Sequence, residues 1–219
     1  MNNLKILYED NHIIVVIKPV NILSQGDFTK DIDMLTILKD YIKKKYNKPG
    51  QVYLGLVHRL DKPTGGIMVF ARTSKAAARL SDSIRKNEFK KSYLAICHGK
   101  TKEKDNLIDY LEKRETKSYI STKDKGKYAS LTYERLDYLE KEDLSFLKIN
   151  LETGRNHQIR LQLSSRNHPL YGDNKYGFDK NKTLGLYAYK LEFPHPTTKE
   201  ILSFTNYPDY NPFTKFKND

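Results

Sequence analysis

Residues 51–71 read QVYLGLVHRLDKPTGGIMVFA and contain two apolar runs separated by a polar segment. We predict strands over Gln51–Val57 and Ile67–Ala71, because β-branched and aromatic residues favour a pleated surface. The segment between them holds a proline and two glycines, which are turn-forming residues. Asp61 then lies in a tight loop held by a sheet, a position where catalytic side chains are common. The alternative is that its carboxylate only caps the turn through a hydrogen bond to the backbone.

Periodic patterns outside this stretch indicate the fold class. Apolar residues at helical spacing predict helices over 31–46, from Thr73 or Ser74 to about Asn87, and from 154–156 to about Arg166. Further strands are predicted at 13–17, 93–97, 130–138, 144–151 and 187–193, with a bulge in 144–151 where the apolar alternation slips. Strands outnumber helices and do not alternate with them regularly. We therefore predict an α+β fold, a mixed and largely antiparallel sheet with helices packed on it.

The composition of the 219 residues suits one soluble domain over 1–219. Residues 100–128 are lysine-rich and poor in apolar periodicity, so we expect an exposed insertion or hairpin within that domain. No apolar run approaches the roughly 20 residues of a membrane span, and the N-terminus has no signal-peptide core. The one cysteine, Cys97, lies in an apolar run and is expected to be a buried thiol. These features predict a cytoplasmic protein, with no membrane association and no pattern that indicates an obligate protein partner.

The charge balance favours a polyanionic partner. Lys and Arg number 39 against 27 Asp and Glu, a net charge of +12, and the pI is near 9.5. Nucleic acid is one such partner, through counterion release. Most of the basic residues are lysines, so a general lysine bias of the source is the alternative, and anionic membranes stay open on charge alone.

A second polar segment, Thr153–Arg160, reads TGRNHQIR and places Arg155, His157 and Arg160 near a predicted helix start. Helix N-termini already carry partial positive charge, so arginines there oppose the usual preference. Such a cluster could hold an anion, either a phosphate or a buried carboxylate. A solvated basic turn is the alternative. A third segment, Lys91–Ala95, carries Tyr93 at a strand start, where a tyrosine is more often a packing residue.

Metal and cofactor sites are not indicated by the sequence. The six histidines form no close pair at metal-ligand spacing and there is no cysteine cluster. No glycine-rich nucleotide-binding motif occurs. We therefore expect no metal and no cofactor.

Taken together, these segments resemble the RluA-type pseudouridine synthase family. Residues 58–66 match a family motif that begins H-R-L-D, and residues 153–160 match T-G-R-T-H-Q-I-R. Weaker motifs occur along the chain in the same order as in the family. They are Leu7–Asp10, Lys18-Pro19, Lys91–Ala95, His168–Asp173, Tyr176-Gly177 and Phe193–Pro196. Three residues depart from the family pattern: Gly65 stands for serine, Asn156 for threonine and Tyr187 for histidine. Asn156 can still cap a helix. The catalytic pattern begins by residue 7, so we expect no S4 RNA-binding domain before it.

The resemblance implies a mixed sheet with a central catalytic cleft, RNA as partner, and isomerisation of uridine to pseudouridine without a cofactor. It implies that Asp61 is the catalytic carboxylate, with Arg160 holding it ionised and Tyr93 stacking on the uracil. Leu161 would supply an apolar wall, and Arg59 would fill the stack vacated by the flipped base. Arg155 and His157 would bind the RNA. Whether Asp61 attacks C1′, adds to uracil C6 or removes a C2′ proton stays open, as do ribosomal and transfer RNA as targets.

Two other functions are weighed against this one. The first is an RNA-binding protein of the same fold without catalysis. The second is glycoside hydrolysis or base excision, which generally needs two facing carboxylates. The matching motifs offer only Asp61 for that chemistry.

Overall fold

The structure is a computed structural model that describes residues 4–27, 29 and 31–216. The strands in chain order are β1 Ile6–Glu9, β2 Ile13–Lys18, β3 Gly55–Leu56, β4 Gly65–Ala71, β5 Lys90–His98, β6 Lys104–Arg114, β7 Lys117–Ser121, β8 Lys127–Leu139, β9 Leu144–Leu151, β10 Leu186–Pro194 and β11 Ile201–Thr205. The helices are α1 Met34–Lys45, α2 Ser74–Arg85 and α3 Gln158–Ser164, with short 3-10 turns at Glu140–Glu142 and Phe213–Phe216.

The chain forms two compact units. The first comprises the described residues up to Lys90 together with Lys190–Asn206, and the second comprises Lys91–Tyr189 together with the described residues from Tyr207 onward. The strand β10 contributes residues to both.

The first unit is built on the buried strands β2 and β4. They pair antiparallel from Ile13 opposite Ala71 to Lys18 opposite Gly66. The strand β1 pairs with β2, β3 pairs with β4, and β10 pairs with β11, all antiparallel. Apolar residues of β2, β4 and α2 form one core with Phe193. Since β4 starts at Gly65, the preceding polar loop is attached directly to this core.

The second unit is a five-stranded antiparallel sheet in the order β5-β9-β8-β6-β7. The helix α3 lies against β6 and β7. Leu161 of this helix packs with Leu111 and Ala129 of the sheet in a buried cluster. This packing fixes the segment that precedes α3.

The predicted α+β fold is confirmed, with antiparallel pairing between the strands just described. Several boundaries differ from prediction for local reasons. Only Gly55–Leu56 of the predicted strand 51–57 pairs with the sheet. The predicted bulge lies in β8 and not in the partner β9, because Leu136 is the extra residue between the pairs of Arg135 and Asp137.

The helix α3 is shorter than predicted and begins only at Gln158. His157, in a left-handed conformation with φ of 54°, stands at its N-cap position and makes no side-chain cap. The Gln158 Oε1 atom instead accepts hydrogen bonds from the Arg155 amide (2.9 Å) and the Thr153 hydroxyl (2.8 Å). This side chain ties the turn together, so the expected capping role of Asn156 is wrong.

Residues 100–128 form regular strands for much of their length. They contain β6, β7 and the start of β8. Leu107 and Leu111 are buried at 1% and 5% exposure, so one face of this hairpin belongs to the core. The segment is thus not exposed throughout, because alternate residues of its strands point inward. None of the helices in the described ranges is long and apolar enough to span a membrane.

Candidate active site

Asp61 lies in a loop whose backbone is held from several directions. The Ser24 hydroxyl accepts from the Leu60 amide (3.1 Å) and donates to the Leu60 carbonyl (2.7 Å). The Val69 amide of β4 donates to His58 Nε2 at 3.1 Å. The Asp61 carbonyl accepts from the Thr64 amide at 3.0 Å and closes a turn. Asp61 is therefore a half-buried carboxylate on a rigid loop, while Arg59 is exposed.

A buried lysine lies beneath this loop in the same unit. Lys18, the last residue of β2, is fully buried. Its Nζ donates to the carbonyls of Pro19 (2.9 Å), Ile22 (2.6 Å) and Lys62 (3.0 Å). Burial lowers the pKa of Lys18 to about 7, and the negative charge of Asp61 acts to raise it. Three acceptors match the three N–H groups of an ammonium, which favours the charged form. A cation thus interacts electrostatically with Asp61.

Arg160 makes a buried ion pair in the second unit. Its Nε and one terminal nitrogen donate to the two carboxylate oxygens of Asp173 at 2.8 and 2.6 Å. Asp173 also accepts from the amides of Lys175 and Tyr176. Burial raises the pKa of Asp173, but the Arg160 hydrogen bonds and charge, with the two amides, hold it below its usual range. Asp173 therefore orients the Arg160 guanidinium through two parallel hydrogen bonds. Asp173 was not among the predicted site residues.

Tyr176 contacts both Arg160 and His157. Its ring centre lies 5.4 Å from the Arg160 guanidinium carbon. Its hydroxyl accepts from the Ser118 amide at 2.8 Å and lies 2.8 Å from His157 Nδ1. The Asn156 amide donates to the Ser118 hydroxyl at 3.0 Å. The residues before α3 are thus fixed to β7 and to the 173–176 turn, which gives Asn156 and Tyr176 positioning roles.

The other two predicted residues of this segment have different surroundings. Arg155 is exposed, and its Nε donates to the Tyr128 carbonyl at 2.8 Å. Leu161 is 8% exposed and packs in the core cluster under β6 and β8. Arg155 is thus available to an anion in solvent, and Leu161 contributes to the packing of α3.

Tyr93 lies on β5, opposite Ile149 of β9, and is 7% exposed. Lys91 lies two residues earlier on the same face of the strand. Burial lowers the pKa of Lys91. Its Nζ lies so close to Gly154 that a Cβ at that position would be 2.9 Å away. The side chain of Lys91 on β5 therefore reaches the 153–160 segment at Gly154.

The structure also accounts for the departure at Tyr187 and for the cysteine. The Tyr187 ring, 3% exposed, makes edge contacts with the rings of Tyr210 and Phe213 near the C-terminus. A tyrosine is large enough to reach these rings. Cys97 is fully buried as predicted, and burial raises the pKa of its thiol to about 12, which makes it a poor nucleophile.

The seven predicted residues fall into two groups. Arg59 and Asp61 belong to the first unit, and Tyr93, Arg155, His157, Arg160 and Leu161 belong to the second. Sequence analysis missed Lys18, Asp173 and Tyr176 as functional residues, although each stood in a weaker motif. A lysine at the end of an all-apolar strand was the available signal for Lys18. Within the described ranges, no group of three His, Cys, Asp or Glu side chains could hold a metal ion.

Comparison with known proteins identifies the family of this chain. Residues 12–165 match the family model described as RNA pseudouridylate synthase. YhcT of Bacillus subtilis, described as an uncharacterized RNA pseudouridine synthase, is 35% identical over 207 residues, which cover 91% of this chain and 67% of that protein. The ribosomal large subunit pseudouridine synthase D of Nitrosomonas europaea is 34% identical over 213 residues, covering 91% of this chain and 60% of that protein.

A solved structure shows the same fold. Human RNA Pseudouridylate Synthase Domain Containing 4 superposes with a TM-score of 0.77 at 21% identity, covering 94% of this chain and 89% of that one. The family model and the named relatives identify the chain as an RNA-modifying isomerase. The chain belongs to the RNA pseudouridylate synthase family, of the RluA type that the motifs resemble.

Proposed function

We propose that this protein converts uridine to pseudouridine in structured ribosomal RNA, without a cofactor, and that Asp61 is its catalytic carboxylate. The observation that carries the assignment is the position of Asp61. It lies half-buried on a loop fixed by Ser24 and His58, with the buried Lys18 cation interacting with it. Relatives whose names specify the ribosomal large subunit support ribosomal RNA as the target.

The reaction needs a group that acts on the nucleotide and is itself regenerated at the end. The bond from ribose C1′ to uracil N1 breaks, the base turns, and C1′ joins C5, while the proton of C5 is lost and N1 is protonated. An ionised Asp61 can serve by attack at C1′, by addition at C6 or by removal of the C2′ proton. All three routes regenerate the carboxylate and need no redox partner.

The remaining predicted residues bind and orient the substrate in this proposal. The target base must leave its stack, which requires a few kcal/mol. Tyr93 stacks on the flipped uracil, and the exposed Arg59 fills the vacated space in the RNA. Arg160, which Asp173 orients through two hydrogen bonds, contacts the substrate. Arg155 and His157 contact the RNA backbone.

Replacement of Asp61 tests the assignment. Asp61→Asn keeps the shape of the side chain and removes its charge. We expect pseudouridine formation to be abolished while RNA affinity stays within about twofold of the wild type, because a single neutralised carboxylate does not create a phosphate contact. Turnover is measured by pseudouridine mapping on ribosomal RNA in a single-turnover assay, with Asp40→Asn on the exposed side of α1 as the matched control.

Three outcomes would contradict the proposal. Turnover above a few per cent of wild type in Asp61→Asn would remove Asp61 as the essential group. Release of free uracil would indicate base excision, since isomerisation leaves the mass of the RNA unchanged. Ribosomal RNA as the target is tested by mapping total RNA from cells with and without the gene, where loss of a transfer RNA site would contradict the ribosomal assignment.

A further inference from the structure

Aromatic side chains cluster on one face of the three neighbouring strands β7, β6 and β8. Ile108 and Tyr110 are alternate residues of β6, so they point to the same face. Tyr110 is paired with Tyr128 of β8, and Glu112 is paired with Tyr119 of β7. Paired residues share a face, so the three tyrosines and Ile108 form one surface, which we name the tyrosine face. Ile108, Tyr119 and Tyr128 are 49%, 44% and 43% exposed.

These side chains lie outside the buried core cluster of the second unit. The opposite face of the same strands supplies the core, where Leu111 and Ala129 pack against Leu161 of α3. Large apolar side chains that cluster on an exposed sheet face mark binding surfaces. The tyrosine face is therefore a candidate binding surface.

The rings present flat surfaces with a cation among them. The Tyr110 and Tyr128 rings meet edge to face, with centres 6.0 Å apart. The guanidinium carbon of Arg114 lies 5.4 Å from the centre of the Tyr119 ring, and Glu112 holds Arg114 at 2.9 Å. Aromatic faces next to arginine are the elements that stack nucleobases.

The charge around the surface selects an anionic partner. The turn from Thr122 to Lys127 carries three lysines and one aspartate, and its lysines are exposed. Arg155, hydrogen-bonded to the Tyr128 carbonyl, lies at the β8 edge of the tyrosine face. This arginine belongs to the same 153–160 segment as Arg160.

We propose that the tyrosine face binds an unpaired stretch of the RNA substrate, with bases stacked on Tyr119 and Tyr128 and phosphates bound by Lys123 and Lys125. The proposal rests on the proposed action on RNA. Unpaired RNA is favoured because only its bases expose their faces to a protein. A protein ligand is disfavoured, since exposed lysines adjoin the face and lysine is depleted at protein interfaces.

Binding of an oligouridylate of about 12 nucleotides, followed by fluorescence anisotropy, tests the proposal. In the double variant Tyr119→Ser/Tyr128→Ser we expect affinity to fall about tenfold or more, because two stacking surfaces are lost. Tyr119→Phe/Tyr128→Phe keeps both ring faces and should bind within about twofold of the wild type. Tyr53→Ser, a tyrosine 50% exposed in the other unit, is the matched control and should bind normally.

Annealing the oligouridylate to oligoadenylate should remove the difference between the wild type and the serine variant, because the duplex hides the base faces. Unchanged oligouridylate affinity in the serine variant would overturn the proposal and leave the face to a protein partner. A phenylalanine variant as weak as the serine variant would also overturn it. The measurement involves no turnover and is repeated in Asp61→Asn, so the binding result and the catalytic assignment can fail separately.

Discussion

At the residue scale, the candidate site depends on two ionised groups that the fold has taken out of water. Lys18 is surrounded by three carbonyls, and Asp173 accepts from Arg160 and two amides. Burial of an ion is unfavourable unless its hydrogen-bonding groups are satisfied. Both groups meet this condition, so each holds a neighbouring segment in one geometry. Lys18 joins the end of β2 to the Asp61 loop, and Asp173 orients Arg160.

We expect Lys18→Met to reduce both stability and turnover. The substitution keeps the length of the side chain but leaves buried carbonyls unsatisfied, a loss of about 2–4 kcal/mol in the free energy of unfolding. The Asp61 loop loses its bond at the Lys62 carbonyl. Denaturant unfolding and single-turnover kinetics measure the two effects, with Lys39→Met on the exposed side of α1 as the control. Wild-type stability in the Lys18 variant would show that the carbonyls do not need the ammonium.

The Arg160–Asp173 pair predicts a pH dependence of stability. The folded-state pKa of Asp173 is depressed, so its contribution is present above the unfolded-state pKa of about 3.9 and is lost as pH falls through the folded-state pKa. Asp173→Asn should lower the free energy of unfolding at about pH 7 by about 3–5 kcal/mol, since removing one partner of a buried ion pair is strongly destabilising.

The same variant should lose less stability than the wild type between about pH 5 and about pH 3, because the titrating carboxylate is gone. Denaturant unfolding at both pH values measures this difference. An equal loss in the two proteins would show that Asp173 does not contribute to the acid sensitivity of the fold.

At the scale of elements, the candidate site residues lie mainly in short segments next to strands, and packing against the strands holds these segments in place. The turn between β7 and β8 is one such segment. A Cβ on Gly126 would lie 2.9 Å from the Tyr110 carbonyl carbon and 3.0 Å from the Leu111 amide nitrogen. Backbone atoms of a paired strand cannot move away cheaply. Glycine at 126 therefore lets the turn approach β6 and sets the spacing of the tyrosine face.

Gly126→Ala should consequently destabilise the protein by about 1–3 kcal/mol through overpacking. It should also weaken oligouridylate binding, because the clash is with the backbone of Tyr110 itself. Gly50→Ala is the control, since no atom lies within 4 Å of a Cβ at that position. Denaturant midpoints of the two variants are compared, and equal midpoints would contradict the steric argument.

At the scale of the whole molecule, the net charge of +12 acts on association with RNA more than on the fold. Phosphate contacts release counterions, so affinity should fall with salt. The slope of log affinity against log salt is about −0.7 for each contact on a single strand. The exposed lysines of the β7–β8 turn are the candidates for several of these contacts.

Neutralising Lys123, Lys125 and Lys127 to glutamine should flatten that slope and leave single-turnover chemistry at saturating RNA unchanged. The control replaces Lys39, Lys44 and Lys48, which are exposed lysines of the first unit, with glutamine. Anisotropy titrations at several salt concentrations provide the slopes. If both triple variants flatten the slope equally, the turn has no special role and the effect is that of overall charge.

The amino-acid sequence by itself determined the local features of this protein. Apolar runs at Ile13–Ile17 and Ile67–Ala71 predicted buried strands, and Thr73 predicted the start of α2, which it caps. The two motifs indicated the family. The catalytic role of Asp61 followed only from that resemblance and stays a prediction. The strand and helix predictions succeeded because burial periodicity and capping act over a few residues, so a linear pattern contains them.

Only the tertiary structure decided which distant groups meet. The Lys18 ammonium binds the carbonyl of Lys62, 44 residues away, and Gln162 of α3 reaches the Leu107 carbonyl of β6. Leu107 and Leu111 belong to a segment whose sequence is lysine-rich and predicted to be exposed. Pairing of β6 with β8 places both side chains on the buried face of the sheet. Residues 51–54 had strand composition but no partner strand in the described fold. Pairing and ion burial depend on which backbone groups come together in space, and a sequence pattern does not encode that proximity.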